Sequence, residues 1–252
     1  MADPDPFSEV NPEPTPGPRS VADHKYTYER RIIALKRRLV REASIAMSML
    51  DAAVEALLRL DVDAAKAVRK QDDRVDAEEV AIEQECYEIL ALHHLFARDF
   101  RVITFVLKVN ADIERVADHA SSIAKVAVRI SQNVPGTPNW PTALAELAER
   151  VPLMCHQLLR AVLDEDVESA RSLVRSDEVI DKLDRRLFEE VQDFIRAEGR
   201  TDSAMTIGMY IYRIGRELER VADLMTNVAE DIVYLATGNI VRHEKRSSRK
   251  GA

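Results

Sequence analysis

The chain has 252 residues, 46% apolar and 32% charged, with a formal charge of −8, only 7 glycines and 2 cysteines. That length holds one large or two modest domains, and scarce glycine with few aromatics favours long helices over many strands. Two isolated thiols, Cys86 and Cys155, exclude a disulfide framework or zinc motif and point to a reducing, cytoplasmic compartment. The first twenty residues carry −3 and residues 241–252 carry +4, leaving −9 on the body, which argues against nucleic acid as the main partner.

Residues 1–25 are expected to form a disordered tail, because six of the ten prolines lie before residue 20 and little apolar area is available to offset ordering. No basic region leads into an apolar core there, so it does not read as a signal peptide. No run of about 20 apolar residues occurs, so no membrane span is expected. A first helix is predicted from Tyr26 to Leu60, where Ile32, Leu35, Leu39, Ala46, Leu50, Ala53, Leu57 and Leu60 keep a three-and-four spacing. Asp61–Asp63 reads as a turn with an aspartate N-cap. A second helix runs to about His94. A third spans Ala97 to Ser131 on an unbroken seam of Val102, Val106, Val109, Ile113, Val116, Ala120, Ile123, Ala127 and Ile130.

Gln132–Pro141 is a linker, with three prolines in ten residues. Residues 142–238 then repeat residues 26–131 at an offset of 105. E-R-V-A-D at Glu114–Asp118 returns at Glu219–Asp223, and every seam residue of the third helix has an apolar counterpart from Ile207 to Leu235. Asp61-Val62-Asp63 likewise matches Asp166-Val167-Glu168. Gly199 and Gly238 sit where helices should end. Pro152 predicts a kink or a late helix start, off the apolar stripe. Gly208 and Gly215 share a face, as close backbone approach or as tolerated imperfections. Residues 239–252 form a basic tail. The fold class is therefore all-α: two tandem three-helix bundles related by internal duplication, through a twofold or similar rotation.

Each half carries two acidic i,i+4 pairs, and residues four apart share a helix face. These are Asp72/Asp76 and Glu114/Asp118, then Asp177/Asp181 and Glu219/Asp223. In an antiparallel hairpin the pairs fall at one level, so four carboxylates could converge in a surface groove of each bundle. Oxygen-only ligands suit hard cations such as magnesium, manganese, calcium or iron. With 44 acids in the chain, plain solvated surface is the competing reading. Arg115 and Arg220 are expected to bridge neighbouring acids, and the histidines to be structural or exposed. No glycine-rich phosphate loop or nucleophile constellation appears, so no enzyme activity is expected.

At these residues the sequence resembles the PhoU family, the phosphate-signalling accessory proteins of bacteria. The matching pieces are Y-E-R at Tyr28–Arg30, D-D-R-V-D at Asp72–Asp76, A-R-D-F-R at Ala97–Arg101, D-I-E-R-V-A-D-H-A at Asp112–Ala120, and L-E-R-V-A-D…T-N-V-A-E…Y-L-A-T-G at Leu218–Gly238. The resemblance implies two three-helix bundles and metal clusters of divalent or iron-type cations. By position, the ligands it implies are Asp72, Asp76, Glu114, Asp118, Asp177, Asp181, Glu219 and Asp223. It also implies a homodimer that links the ATPase of a phosphate ABC transporter to a sensor histidine kinase and restrains the phosphate-starvation response. Contact with the membrane would then run only through those partners. A purely structural helical scaffold is the alternative. The family's usual I-G-D is V-A-D in both repeats, its N-I-A-E is S-I-A-K at Ser122–Lys125, and Leu224 stands where histidine is common. Lys125 predicts a first metal site weaker than the second, where Glu230 remains.

Overall fold

The structure is a computed structural model that describes residues 21–133, 137–164 and 166–239, with the backbone alone for residues 21–27. Most of the expected N-terminal tail, nearly all of the basic tail and part of the linker lie outside the described residues. Among the described residues six helices follow in order: α1 (Val21–Arg59), α2 (Val62–Leu92), α3 (Ala97–Ser131), α4 (Thr142–Asp164), α5 (Val167–Ala197) and α6 (Asp202–Thr237). There is no strand among the described residues.

The helices begin where side chains can satisfy free amides. Asp61 Oδ1 accepts from the Asp63 and Ala64 amides at 3.0 and 2.9 Å, starting α2. Its counterpart Asp166 accepts from the Glu168 and Ser169 amides at 3.0 and 3.1 Å, starting α5. Each such cap contributes about 1 kcal/mol. Thr201 caps α6 through the Ala204 amide, and Gly238 ends it at φ 75°, a left-handed conformation that glycine adopts without steric cost. Helix α1 begins at Val21, so five residues assigned to the tail are helical. Helix α2 stops at Leu92, because His93 turns extended and its ring packs on Tyr28, centroids 5.4 Å apart.

All nine seam residues of α3 are buried, as are their counterparts on α6 except Leu235, which is partly buried. Burying each valine, isoleucine, leucine or methionine among them contributes roughly 1.5–3 kcal/mol, and together the seams hold each trio of helices around a continuous core. Within each half the three helices all pack on one another, and the halves join through α3 against α6 and α1 against α4. Across the α3–α6 contact Lys108 reaches Asp231 at 3.3 Å and His119 reaches Glu217 at 2.7 Å, so the two helices cross antiparallel. On the α1–α4 side His156 Nε2 lies 2.9 Å from Asp51 Oδ2, and these two positions are themselves 105 apart. Equivalent positions meet at the axis that relates two copies, and equivalent helices that cross antiparallel beside that axis require a twofold. The expected rotation is therefore a pseudo-twofold.

The α6 glycines are packing residues. A Cβ at Gly208 would sit 2.7 Å from Ile195 Cδ1, and one at Gly215 would collide with Leu187, which is fully buried. Close approach of α5 to the α6 backbone is the correct reading of the two. Pro152 neither delays nor ends α4, which runs through it from Thr142, and it is buried rather than off the apolar face.

Candidate functional site

Each half sets its acidic pairs on facing helices, α2 and α3 in the first, α5 and α6 in the second. Their exposure is duplicated: Asp72, Asp177, Glu114 and Glu219 are half-buried, whereas Asp76, Asp181, Asp118 and Asp223 are exposed. A hydroxyl is duplicated too. Ser121 hydrogen-bonds Asp72, and its counterpart Thr226 donates to Asp177 Oδ1 at 3.5 Å.

The carboxylates of each half feel one another. Burial raises Asp72 above the usual carboxylate range, with Ser121 opposing and Asp118 and Asp76 adding repulsion. Burial, then Asp118, Glu79 and Asp76, push Glu114 up to about 7. In the second half burial raises Asp223, helped by Asp177 and Asp181, and burial with the Asp223 charge raises Glu219. Asp72 Oδ1 and Glu219 Oε2 are buried without a hydrogen-bond partner. Unpartnered, mutually repelling carboxylate oxygens are the donor set a hard cation satisfies. The quartets are nonetheless neighbours rather than closed cages: among the described residues no three acidic, histidine or cysteine side chains stand in ligating geometry.

Several residues that shape the site escaped the sequence reading. Glu42 of α1 is 1% exposed with neither oxygen partnered, and burial, Glu78 and Glu79 push it up to about 8. It sits on the α1 stripe between Leu39 and Ala46, where a charge is out of pattern, and its counterpart is the fully buried Leu147. In the second half Arg216 bridges Asp184 at 3.1 Å and Glu219 at 3.0 Å. Its counterpart is Ala111, so the first half lacks that neutralising charge. Lys125 is exposed. Arg115 bridges an acid as expected, Asp112 at 3.3 Å, whereas Arg220 is exposed with no ion pair among the described residues.

His119 appears in one repeat only, and the packing of the halves explains it. Its Nδ1 meets Glu217 of the other half, which also accepts from Ser122 Oγ at 2.8 Å and Arg213 Nε at 3.4 Å. Burial alone would raise Glu217, but these partners bring it down to about 2.

The PhoU domain model matches the chain twice, over residues 39–127 and 144–232. Both segment limits differ by the same 105 residues as the seams and the acidic pairs. The chain belongs to the PhoU family. The matched segments contain all eight carboxylates, together with Glu42, Glu217 and His119. Among PhoU relatives, a phosphate-specific transport system accessory protein PhoU homolog from Deinococcus radiodurans is 35% identical over 191 residues, 76% of this chain and 87% of that protein. The homolog of the same name from Aquifex aeolicus is 30% identical over 209 residues, 83% of this chain and 92% of that protein. The crystal structure of PhoU from Pseudomonas aeruginosa superimposes with a TM-score of 0.79 at 26% identity, covering 84% of this chain and all of that one. A PhoU structure from Streptococcus pneumoniae shares the fold at a TM-score of 0.75, covering 85% of this chain and 99% of that one.

Proposed function

We propose that this chain is a regulatory adaptor of phosphate uptake and signalling. It couples the ATPase of a phosphate transporter to a sensor histidine kinase and restrains the phosphate-starvation response, acting in the cytoplasm as a homodimer and without catalysis of its own. The observation that carries this reading is the alignment, along most of both chains, with relatives named as phosphate-specific transport system accessory proteins. No helix of the described residues is long and apolar enough to cross a membrane, consistent with meeting the membrane only through its partners. Such an adaptor biases a kinase only if it binds one kinase conformation more tightly than another, and a decisive switch needs several kcal/mol of that difference.

The acidic quartets add cation binding to the proposal. Asp72, Asp76, Glu114 and Asp118 would hold one hard divalent or iron-type cation site, and Asp177, Asp181, Glu219 and Asp223 the other. A bound cation would neutralise carboxylates that otherwise repel. The sequence expectation of a stronger second site rested on Lys125. Arg216 already neutralises Glu219 and Asp184 in the second half, while the matching position of the first half, Ala111, carries no cation. We therefore place the tighter site in the first half. The absence of three converging ligands among the described residues favours the rival reading, a helical scaffold whose acids are only solvated.

Deleting the gene is expected to leave phosphate-starvation promoters active in phosphate-replete medium, measured with a reporter. Normal repression in the deletion strain, with no second copy of the gene present, overturns the adaptor role. Metal analysis of the purified protein after chelation and reloading separates the cation reading from the scaffold. Asp76→Asn with Asp118→Asn should lower bound metal more than Asp181→Asn with Asp223→Asn, and equal content in all of them supports the scaffold.

A further inference from the structure

A cavity of about 610 Å³ opens where the halves meet, between α1, α3, α4 and α6. That volume suits a small organic ligand. Its walls are of two kinds. Val102, Phe105, Val162 and Ile232 make an apolar interior; Lys36, Arg37, Arg98 and Arg101 stand around it, and no carboxylate lines it among the described residues. In a chain of net charge −8 this gathering of cations is unexpected. Several arginines elsewhere lie against acids, as Arg31, Arg38, Arg186 and Arg216 do. Arg37, Arg98 and Arg101 have no ion pair among the described residues, and Arg101 Nε is buried without an acceptor. A buried guanidinium N–H left unpaired is costly, and an anionic oxygen is the partner that satisfies it best.

The duplication supplies an internal comparison. Advanced by 105 residues, the four cations become Pro141, Thr142, Ser203 and Thr206, all uncharged. Leu163, on the cavity wall, corresponds to Leu58, whose carbonyl accepts the Trp140 indole N–H at 3.3 Å. One copy of the frame is neutral with an aromatic side chain held against it; the other is open and cationic. Helix packing alone accounts for the neutral copy and leaves the charge of the other unexplained.

We propose that this cavity binds a small amphipathic anion, a phosphate or carboxylate head on a short apolar body, with Arg98 and Arg101 on the head and Phe105 and Ile232 around the body. A ligand so placed touches both halves of the chain. Titration calorimetry on the full chain tests this with octyl phosphate, octanol and inorganic phosphate as probes. One octyl phosphate is expected per chain, with octanol and inorganic phosphate each at least about tenfold weaker. Arg98→Gln and Arg101→Gln should each weaken octyl phosphate at least about tenfold, while Arg59→Gln, paired with Glu55 away from the cavity, leaves it unchanged. Arg98 is exposed, so its variant keeps the fold. Unchanged affinity in both arginine variants overturns the proposal. So does inorganic phosphate binding as tightly as its octyl ester, which would mark a plain ion site. Retention on phosphatidylglycerol vesicles without binding of the soluble ester also overturns it, reassigning the cations to a membrane surface.

Discussion

Glu42 offers a sharp test of how the first half handles charge. It is 1% exposed and neither oxygen has a partner. Burial, Glu78 and Glu79 push it up to about 8 against the pull of Arg38, with Glu114 adding further repulsion. In the unfolded chain the same carboxyl ionises near 4.5. Between those values the folded state keeps a proton that the unfolded state has lost, so stability is full below about pH 4.5 and falls as pH rises towards 8. At about 1.4 kcal/mol per pH unit, the loss reaches on the order of 3 kcal/mol at pH 7. Glu42→Gln keeps the shape and removes the titration. The variant should match the parent at pH 4.5 and exceed it by about 3 kcal/mol at pH 7. For a chain of this size that is a rise in Tm of roughly 6–12 °C. Urea and thermal unfolding at pH 4.5, 6, 7 and 8, in chelator, measure it. A difference between variant and parent that does not change with pH refutes the reasoning, as does a variant less stable than the parent at pH 7.

Gly215→Ala is expected to destabilise by about 2 kcal/mol despite the better helix propensity of alanine, because Leu187 is fully buried and has no room to yield; Gly208→Ala should cost less, since Ile195 is only partly buried, and urea unfolding compares them. His119→Ala leaves the buried Glu217 with Ser122 and Arg213 alone and should cost about 2 kcal/mol at pH 7. The low value of Glu217 means that its contribution is present above about pH 4.5 and fades as pH falls towards 2, so the cost of His119→Ala should shrink in acid. Asp166→Ala removes the α5 cap and should lower stability by about 1 kcal/mol, with the loss of amide protection in hydrogen exchange confined to the first turn of α5.

Much of the fold was legible because duplication repeats each signal. The apolar seams recur at a fixed offset, the paired aspartate caps mark the same helix start twice, and Gly199 and Gly238 do take positive φ at helix ends. The glycines of α6 were ambiguous because propensity alone cannot tell a packing glycine from a poor one; the neighbour that decides it, Leu187, lies 28 residues away. The acidic pairs were visible through their spacing. Their surroundings were not. Glu42 comes from a third helix and Arg216 sits one turn before Glu219, and neither has a like counterpart in the other half. A search for repeated features passes over such residues, and they set the charge balance of each site. His119 is structural, one of the two roles expected of the histidines, but its partner Glu217 belongs to the other half, where no repeated spacing points to it.

The contact between Asp51 and His156 constrains how such a chain can be assembled. Two separate first halves paired about the same axis would set Asp51 against its own copy, two like charges in contact. Two separate second halves would set His156 against itself, which repels once protonated. Halves that are free to differ, as in this joined chain, can place an acid and a base on the axis together. Divergence of the halves therefore opens a combination closed to any symmetric pair, and the two halves, though alike in helix order, have ceased to be interchangeable parts. A chain rebuilt from two first halves would keep the helices and lose the clasp between α1 and α4.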